Sequence, residues 1–344
     1  MTKFKVYIKK YLILILIFIC FSLLKNIKEK LPKISVFLPI YNKDKYIKRC
    51  IESIQRQSLK NIEIVAVNDN SNDETLNILI DYSKNDSRIK IVNNDKNHGL
   101  LYSRAIGILN SSGKYIMNVD PDDELSNNDS LEFLYNQTII TNADIISFDI
   151  YDERLKKIIK CKNNNIIQNQ PLLFESIFKK NNRINDFLIW NKLIRREIFI
   201  KAFHFFQKEI YNYKWNYFED DIWNILVNKY ATSKLCANKL IYIYHKNPDS
   251  LISKRFGLIE FQNLLYRHEM YKKLFTKKKE EKYLIAEHYF LLNRLKWERK
   301  YLLLINDTNI KKNITTIFQL FMKHYKCSKR QKRNINNFIK LIAK

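Results

Sequence analysis

Short apolar runs at Ile34 to Pro39, Ile62 to Asn68, Ile89 to Val92 and Tyr115 to Val119 alternate with stretches of helical periodicity at Lys43 to Gln57, Glu74 to Lys84 and Leu101 to Asn110. Strand and helix in strict alternation predict right-handed crossovers and an α/β fold, a mainly parallel sheet with helices on both faces. Such sheets bind ligands beyond the carboxyl ends of their strands. The residues ending the strands here are polar: Pro39-Ile40-Tyr41-Asn42, Asn68-Asp69-Asn70-Ser71-Asn72-Asp73 and Asp120-Pro121-Asp122-Asp123. Acid-bearing loops gathered at one sheet edge repel one another, so they imply a cation.

Composition narrows the ligand. The chain of 344 residues has only four glycines, where average usage would give roughly 24. A three-glycine dinucleotide turn or a Walker-type phosphate loop needs clustered glycines and is excluded. With 46% hydrophobic residues, including 21 Phe and 21 Tyr, the chain has ample material for a core. Cys20, Cys50, Cys161, Cys236 and Cys327 are widely separated with no Cys-x-x-Cys, which argues against zinc knuckles and gives no sign of a disulfide framework. Reduced thiols are the simplest expectation.

The charge is uneven. Against 35 acids stand 61 Lys and Arg, a formal +26. Tyr11 to Leu24 forms an apolar run of 14 residues between Lys9-Lys10 and Lys25, short for a bilayer span. It is expected to be an uncleaved anchor or interfacial helix, with a signal peptide or a buried helix as alternatives. Residues 321–344 hold eight Lys or Arg and no acid, interleaved with Phe321, Tyr325, Ile335, Phe338 and Ile342, a pattern suited to an anionic lipid surface or to a solvated tail. No zinc finger or ribonucleoprotein motif supports nucleic acid as the partner. A membrane surface is the expectation, with no nucleic acid.

The blocks "ISVFLPIYNKDKYIKRCIESIQRQS", "IEIVAVNDNSNDET", "NHGLLYSRAIGILNSSGKYIMNVDPDDEL" and "FEDDIW", in that order, resemble glycosyltransferase family 2, inverting enzymes of the Rossmann-like GT-A fold that use nucleotide sugars. The resemblance implies four regions: an anchor and stalk at 1–30, a nucleotide-sugar-binding half at 31–135, an acceptor-binding half at 136–254, and a basic helical C-terminal extension at 255–344. It implies a UDP-sugar donor and a glycan, polysaccharide or lipid-linked acceptor. Because sugar nucleotides are generally cytosolic, a membrane-associated chain with its catalytic domain facing the cytosol is expected.

Residue by residue, Asp120-Pro121-Asp122 matches the family's Asp-x-Asp. Asp120 would face the ribose, and Asp122, with Asp123 beside it, would ligate Mn²⁺ or Mg²⁺, hard ions that prefer carboxylate oxygens and neutralise the leaving diphosphate. His245 is a further candidate for that metal. Pro39 and Tyr41 match the segment along the base, and Asp69 the acid that pairs with uracil. The usual acid before it is Asn68 here, and the usual glycine after it is Asn70, which tolerates the left-handed backbone that glycine would supply. Arg104 would meet a phosphate or lie on its helix face. Asp220 is the implied general base, with Asp221 in reserve because the tandem acids blur the register by one. Trp190 and Lys192 fall on the acceptor side, Trp190 as a sugar platform or a core residue. Two other classes stay open: a nucleotide-sugar-binding module with a decayed site, and a sugar-nucleotide pyrophosphorylase, which would need a Gly-rich loop after the first strand.

Overall fold

The computed structural model describes residues 31–161, 188–212, 214–216 and 219–248, with isolated positions beyond. The apolar run at Tyr11 to Leu24, residues 1–30 as a whole, Phe218 and nearly all of 255–344 lie outside the described residues. No helix of the described residues is long and apolar enough to cross a membrane.

Strands β1 (Ile34–Ile40), β2 (Ile62–Asn68), β3 (Ile89–Asn93) and β4 (Tyr115–Asn118) pair in parallel in the order β3-β2-β1-β4. Helices α1 (Ile47–Gln55), α2 (Thr75–Asn85) and α3 (Leu100–Asn110) make the crossovers. β1 is buried along its whole length because it lies between β2 and β4 with helices on both faces. Its side chains alternate between two cores, as period two requires. Val36, Leu38 and Ile40 meet Ile47, Ile51 and Ile54 of α1 on one face, while Phe37 meets Leu101, Ala105 and Ile108 of α3 on the other. Each such aliphatic residue, fully buried, contributes about 1.5–3 kcal/mol against the entropy of ordering the chain.

Beyond β4 the sheet becomes mixed. β8 (Lys192–Arg195) runs antiparallel to both β4 and β6 (Ile145–Asp152), and β9 (Lys234–Tyr244) returns parallel to β6. The two-residue β5 (Glu124–Leu125) pairs with β9, and β7 (Lys157–Ile159) makes a hairpin with β6. Helices α4 (Ser130–Thr141), α5 (Arg196–Asn212) and α6 (Glu219–Tyr230) complete the layers. The expected α/β architecture holds, with the parallel character confined mainly to the first half. Pairing of β5 with β9 draws residues 245–247 alongside Asp122 and Asp123.

Two sequence expectations change. Helix α1 begins at Ile47 rather than Lys43, because the Lys43 amide donates to Thr75 Oγ1 (2.8 Å) and the Asp44 amide to Asp73 Oδ2 (3.2 Å), which holds this segment in a turn. Cys161 and Cys236, expected as reduced thiols, form a disulfide with Cα atoms 5.8 Å apart. Cys236 lies on β9 and Cys161 just past β7, and both strands flank β6, so the sheet brings together cysteines 75 residues apart in sequence.

The α2–β3 connection carries a separate prediction. Arg88 Nε and Nη2 donate to the two oxygens of Asp86 at 2.9 and 2.7 Å, and the Asp86 carboxyl is held down to about 2 by that guanidinium. A depressed carboxyl contributes stability that is full above its ordinary value of 3.8 and is lost as pH falls through about 2. Asp86→Asn should lower the melting temperature by about 2–4 °C at neutral pH, and the gap should close toward about pH 2 in a fluorimetric melting series.

Candidate functional site

The β1/β4 junction is where strand order reverses, with β2 and β3 on one side and β8 on the other, and the chain's acidic loop leaves β4 there. Asp120, Asp122 and Asp123 each meet a different fate. Asp123 is buried: Tyr242 Oη donates to its Oδ2 (2.8 Å) and the His245 amide to its Oδ1 (2.9 Å). Burial, reinforced by the charges of Asp122 and Asp120, pushes its carboxyl well above the usual range. Burial likewise pushes the Tyr242 phenol up, so it stays protonated as the donor. Tyr242 Oη also accepts from the Asp120 amide at 3.1 Å. Asp123 therefore fastens the loop to β9, with both carboxylate oxygens engaged by protein donors.

Asp122 is partly open to solvent. Lys43 Nζ at 2.8 Å and Asn247 Nδ2 at 2.5 Å both donate to its Oδ2, and Arg49 Nη2 donates to its backbone carbonyl at 2.6 Å. The His245 ring turns elsewhere, with Nε2 2.9 Å from Glu124 Oε1 and Nδ1 3.3 Å from Glu153 Oε2. Among the described residues, no group of three or more His, Cys, Asp or Glu forms a ready metal cage. Asp122, the partly exposed carboxylate of this loop, is the residue that would hold a hard ion such as Mn²⁺ or Mg²⁺.

On the other side of β1, Tyr41 is 40% exposed at the strand end, and Pro39 is buried in the strand itself. Asn70 does adopt a left-handed φ of 58°, as expected of a glycine stand-in. Asp69 is buried, its Oδ1 accepting from Asn94 Nδ2 (2.7 Å) and the His98 amide (3.0 Å), and its Oδ2 from the Gly99 amide (2.8 Å). Its charge fixes the turn into α3. Gly99 has φ 95°, and a Cβ there would stand 2.8 Å from Asn216 Oδ1, so the turn needs glycine on both counts.

The acidic block at 219–221 forms the first turn of α6. Carboxylates there are favoured by the helix dipole. Glu219 and Asp221 are buried, while the Asp220 side chain is 22% exposed. That difference in exposure favours Asp220 over Asp221 as the group able to meet a substrate. Burial pushes the Glu219 carboxyl up, opposed by the Arg104 charge.

Arg104, expected on a phosphate or on the helix surface, is not on the surface. Its side chain is 2% exposed, with Nη2 3.2 Å from Asp120 Oδ1 and Nη1 3.1 Å from Glu219 Oε1 and against Asp220 Oδ1. Trp190 and Lys192, expected on the acceptor side, are both buried. Trp190 packs on Tyr242 and Tyr244 with ring centroids 4.9 and 5.4 Å away. Lys192 Nζ donates to the Leu188 carbonyl and to Asn191 Oδ1. β8 places Lys192 in the sheet, and Trp190 stands in the turn just before it; both are buried in this structure. Lys43, Asn247, Tyr242 and Glu219 were not singled out by sequence reasoning, and only Glu219, inside the acidic block, carried a signal that could have found it.

Residues 35–203 match the family model described as "Glycosyl transferase family 2". The chain is 30% identical over 224 residues to the uncharacterized glycosyltransferase EpsJ of Bacillus subtilis, covering 64% of this chain and 63% of that protein. It is 35% identical over 96 residues to a Campylobacter jejuni GalNAc(5)-diNAcBac-PP-undecaprenol β-1,3-glucosyltransferase, covering 28% of this chain and 31% of the relative. The chain thus spans less than two thirds of the length of these relatives. In fold, it is similar to S. aureus TarS residues 1–349 in complex with UDP-GlcNAc, with a TM-score of 0.63 at 17% identity over 83% of this chain and 81% of that one.

Proposed function

We propose that this chain, which belongs through residues 35–203 to glycosyl transferase family 2, moves a hexose or N-acetylhexosamine from a UDP-sugar to a glycan, polysaccharide or lipid-linked acceptor with inversion. The observation that carries the reading is convergence: Asp120 of the β4 loop and Asp220 of the α6 first turn meet on one guanidinium, although they lie a hundred residues apart in sequence. A displacement with inversion needs a leaving-group side and a base side facing each other across the anomeric carbon, and these two loops supply them. The TarS structures bound to UDP-GlcNAc and to UDP support a uridine nucleotide donor, and the Campylobacter relative's undecaprenol-linked substrate supports a lipid-linked acceptor.

In this reading the exposed Tyr41 ring lies along the base, and Asp69 acts through the turn that it holds. Asp120 receives the ribose, and Asp122 holds Mn²⁺ or Mg²⁺. Such an ion would supply counter-charge to the departing diphosphate. Lys43 stands beside Asp122 as a second positive charge on the same side. Asp220 accepts the acceptor hydroxyl's proton as its oxygen attacks. It sits in the first turn of α6, at the positive end of the helix dipole.

Calorimetry tests the donor assignment. UDP should bind at micromolar strength with Mn²⁺ and weaken about tenfold or more with EDTA, since a bound dication is the main counter-charge to the diphosphate. A panel of UDP-sugars then ranks the donors by metal-dependent UDP release. Failure of UDP to bind with or without Mn²⁺ would overturn the assignment.

A further inference from the structure

We infer that Arg104 is a positioning residue that holds the donor-side loop and the base-bearing helix in register, and is not itself a ligand of the nucleotide. The roles of the two loops rest on the glycosyl-transfer reading above; the linkage between them does not. Helix α3, which carries Arg104, is tied at both ends of its first turns. At its start, the Leu101 amide donates to the Trp215 carbonyl and the Leu100 amide to Asn216 Oδ1, both at 3.0 Å. These acceptors lie a few residues before α6. One turn later the guanidinium reaches Asp120 with one nitrogen and the Glu219-Asp220 pair with the other. Asp120 is in turn fixed by Asn118 Nδ2 at 2.9 Å.

Two physical points separate this role from phosphate binding. Arg104 is 2% exposed, so a diphosphate in the open cleft does not reach it without displacing the carboxylates around it. Pulling it away would also leave Glu219, itself 6% exposed, as a buried charge without its counter-ion, a costly state. The planar fork of an arginine spans acceptors on separate elements at fixed angles, which an ammonium does not. Geometry is what the reaction needs here: a displacement of about 1 Å between base and reacting carbon costs on the order of a hundredfold in rate.

The test uses the full chain with Arg104→Gln and Arg104→Lys, and the UDP-sugar of the panel that releases UDP fastest. Arg104→Gln should lower kcat for metal-dependent UDP release by about a hundredfold, while the Kd for UDP rises by less than about tenfold, the part that loosening of Asp120 accounts for. Hydrogen exchange should rise together at 118–123 and 219–224, with 34–40 unchanged. Arg104→Lys, keeping the charge without the fork, should recover part of kcat and part of the protection. Loss of UDP affinity in proportion to kcat, with exchange at 118–123 and 219–224 unchanged, would make Arg104 a nucleotide ligand and overturn the inference. Unchanged exchange at either segment would overturn it as well. Failure of the wild type to bind UDP would instead strike the functional reading, and the exchange result would still decide whether Arg104 links the two loops.

Discussion

Asp220→Asn should leave UDP binding at its wild-type strength and reduce turnover of the best UDP-sugar by about a hundred- to ten-thousandfold, the usual range for a lost general base. The substitution keeps the shape of the side chain and leaves a carbonyl oxygen to lie against Arg104, so the helix start should persist. What it removes is the ability to take a proton. Folding is not expected to suffer, because Asp220, with its side chain 22% exposed, is the least buried of the three acids. Asp221→Asn provides the register control: buried within the same helical turn, it should change stability more than chemistry. If Asp221→Asn abolishes turnover and Asp220→Asn does not, the base is one residue further along. Steady-state UDP release and UDP calorimetry on the two variants decide it.

The second large effect is expected far from any reacting atom. A Cβ at Gly107 would stand 2.5 Å from Phe37 Cδ2 and 2.8 Å from its Cγ. Phe37 is pinned in the central strand, so α3 must lift from the sheet to make room. Overpacking of this kind costs about 1–3 kcal/mol, which places the melting temperature of Gly107→Ala about 4–8 °C below wild type. Gly107 lies three residues after Arg104 on one helical face, so the same movement should carry the guanidinium off its carboxylates. A fall in kcat beyond what the loss of folded protein explains is therefore predicted, measured at a temperature where the variant is fully folded. Full retention of kcat would mean that α3 can shift without disturbing the site.

The parts of this fold that were legible in sequence are those where local chemistry and tertiary environment ask for the same residue. Strand β1 is apolar throughout because it is buried on both faces, and Asp120-Pro121-Asp122 stands out because acids at a strand end serve no core. Asn70 was readable because few residues other than glycine accept a left-handed backbone. What stayed hidden depended on partners distant in the chain. Nothing around Asp69 announces that it will accept the amides of His98 and Gly99, and nothing around Arg104 points to Glu219, 115 residues away. Trp190 and Lys192 look like ligand-facing residues until β8 is threaded between β4 and β6. The disulfide follows from sheet order alone, which cysteine spacing does not encode.

A single guanidinium shared by carboxylates from both halves of the domain also bears on recombination. Chimeras that join the first half of one family member to the second half of another bring together an arginine and an acidic turn that were never matched to each other. Such hybrids should fold well where each sheet segment is intact, yet transfer poorly. Crossovers that keep residues 98–123 and 214–221 from the same parent should be the productive ones.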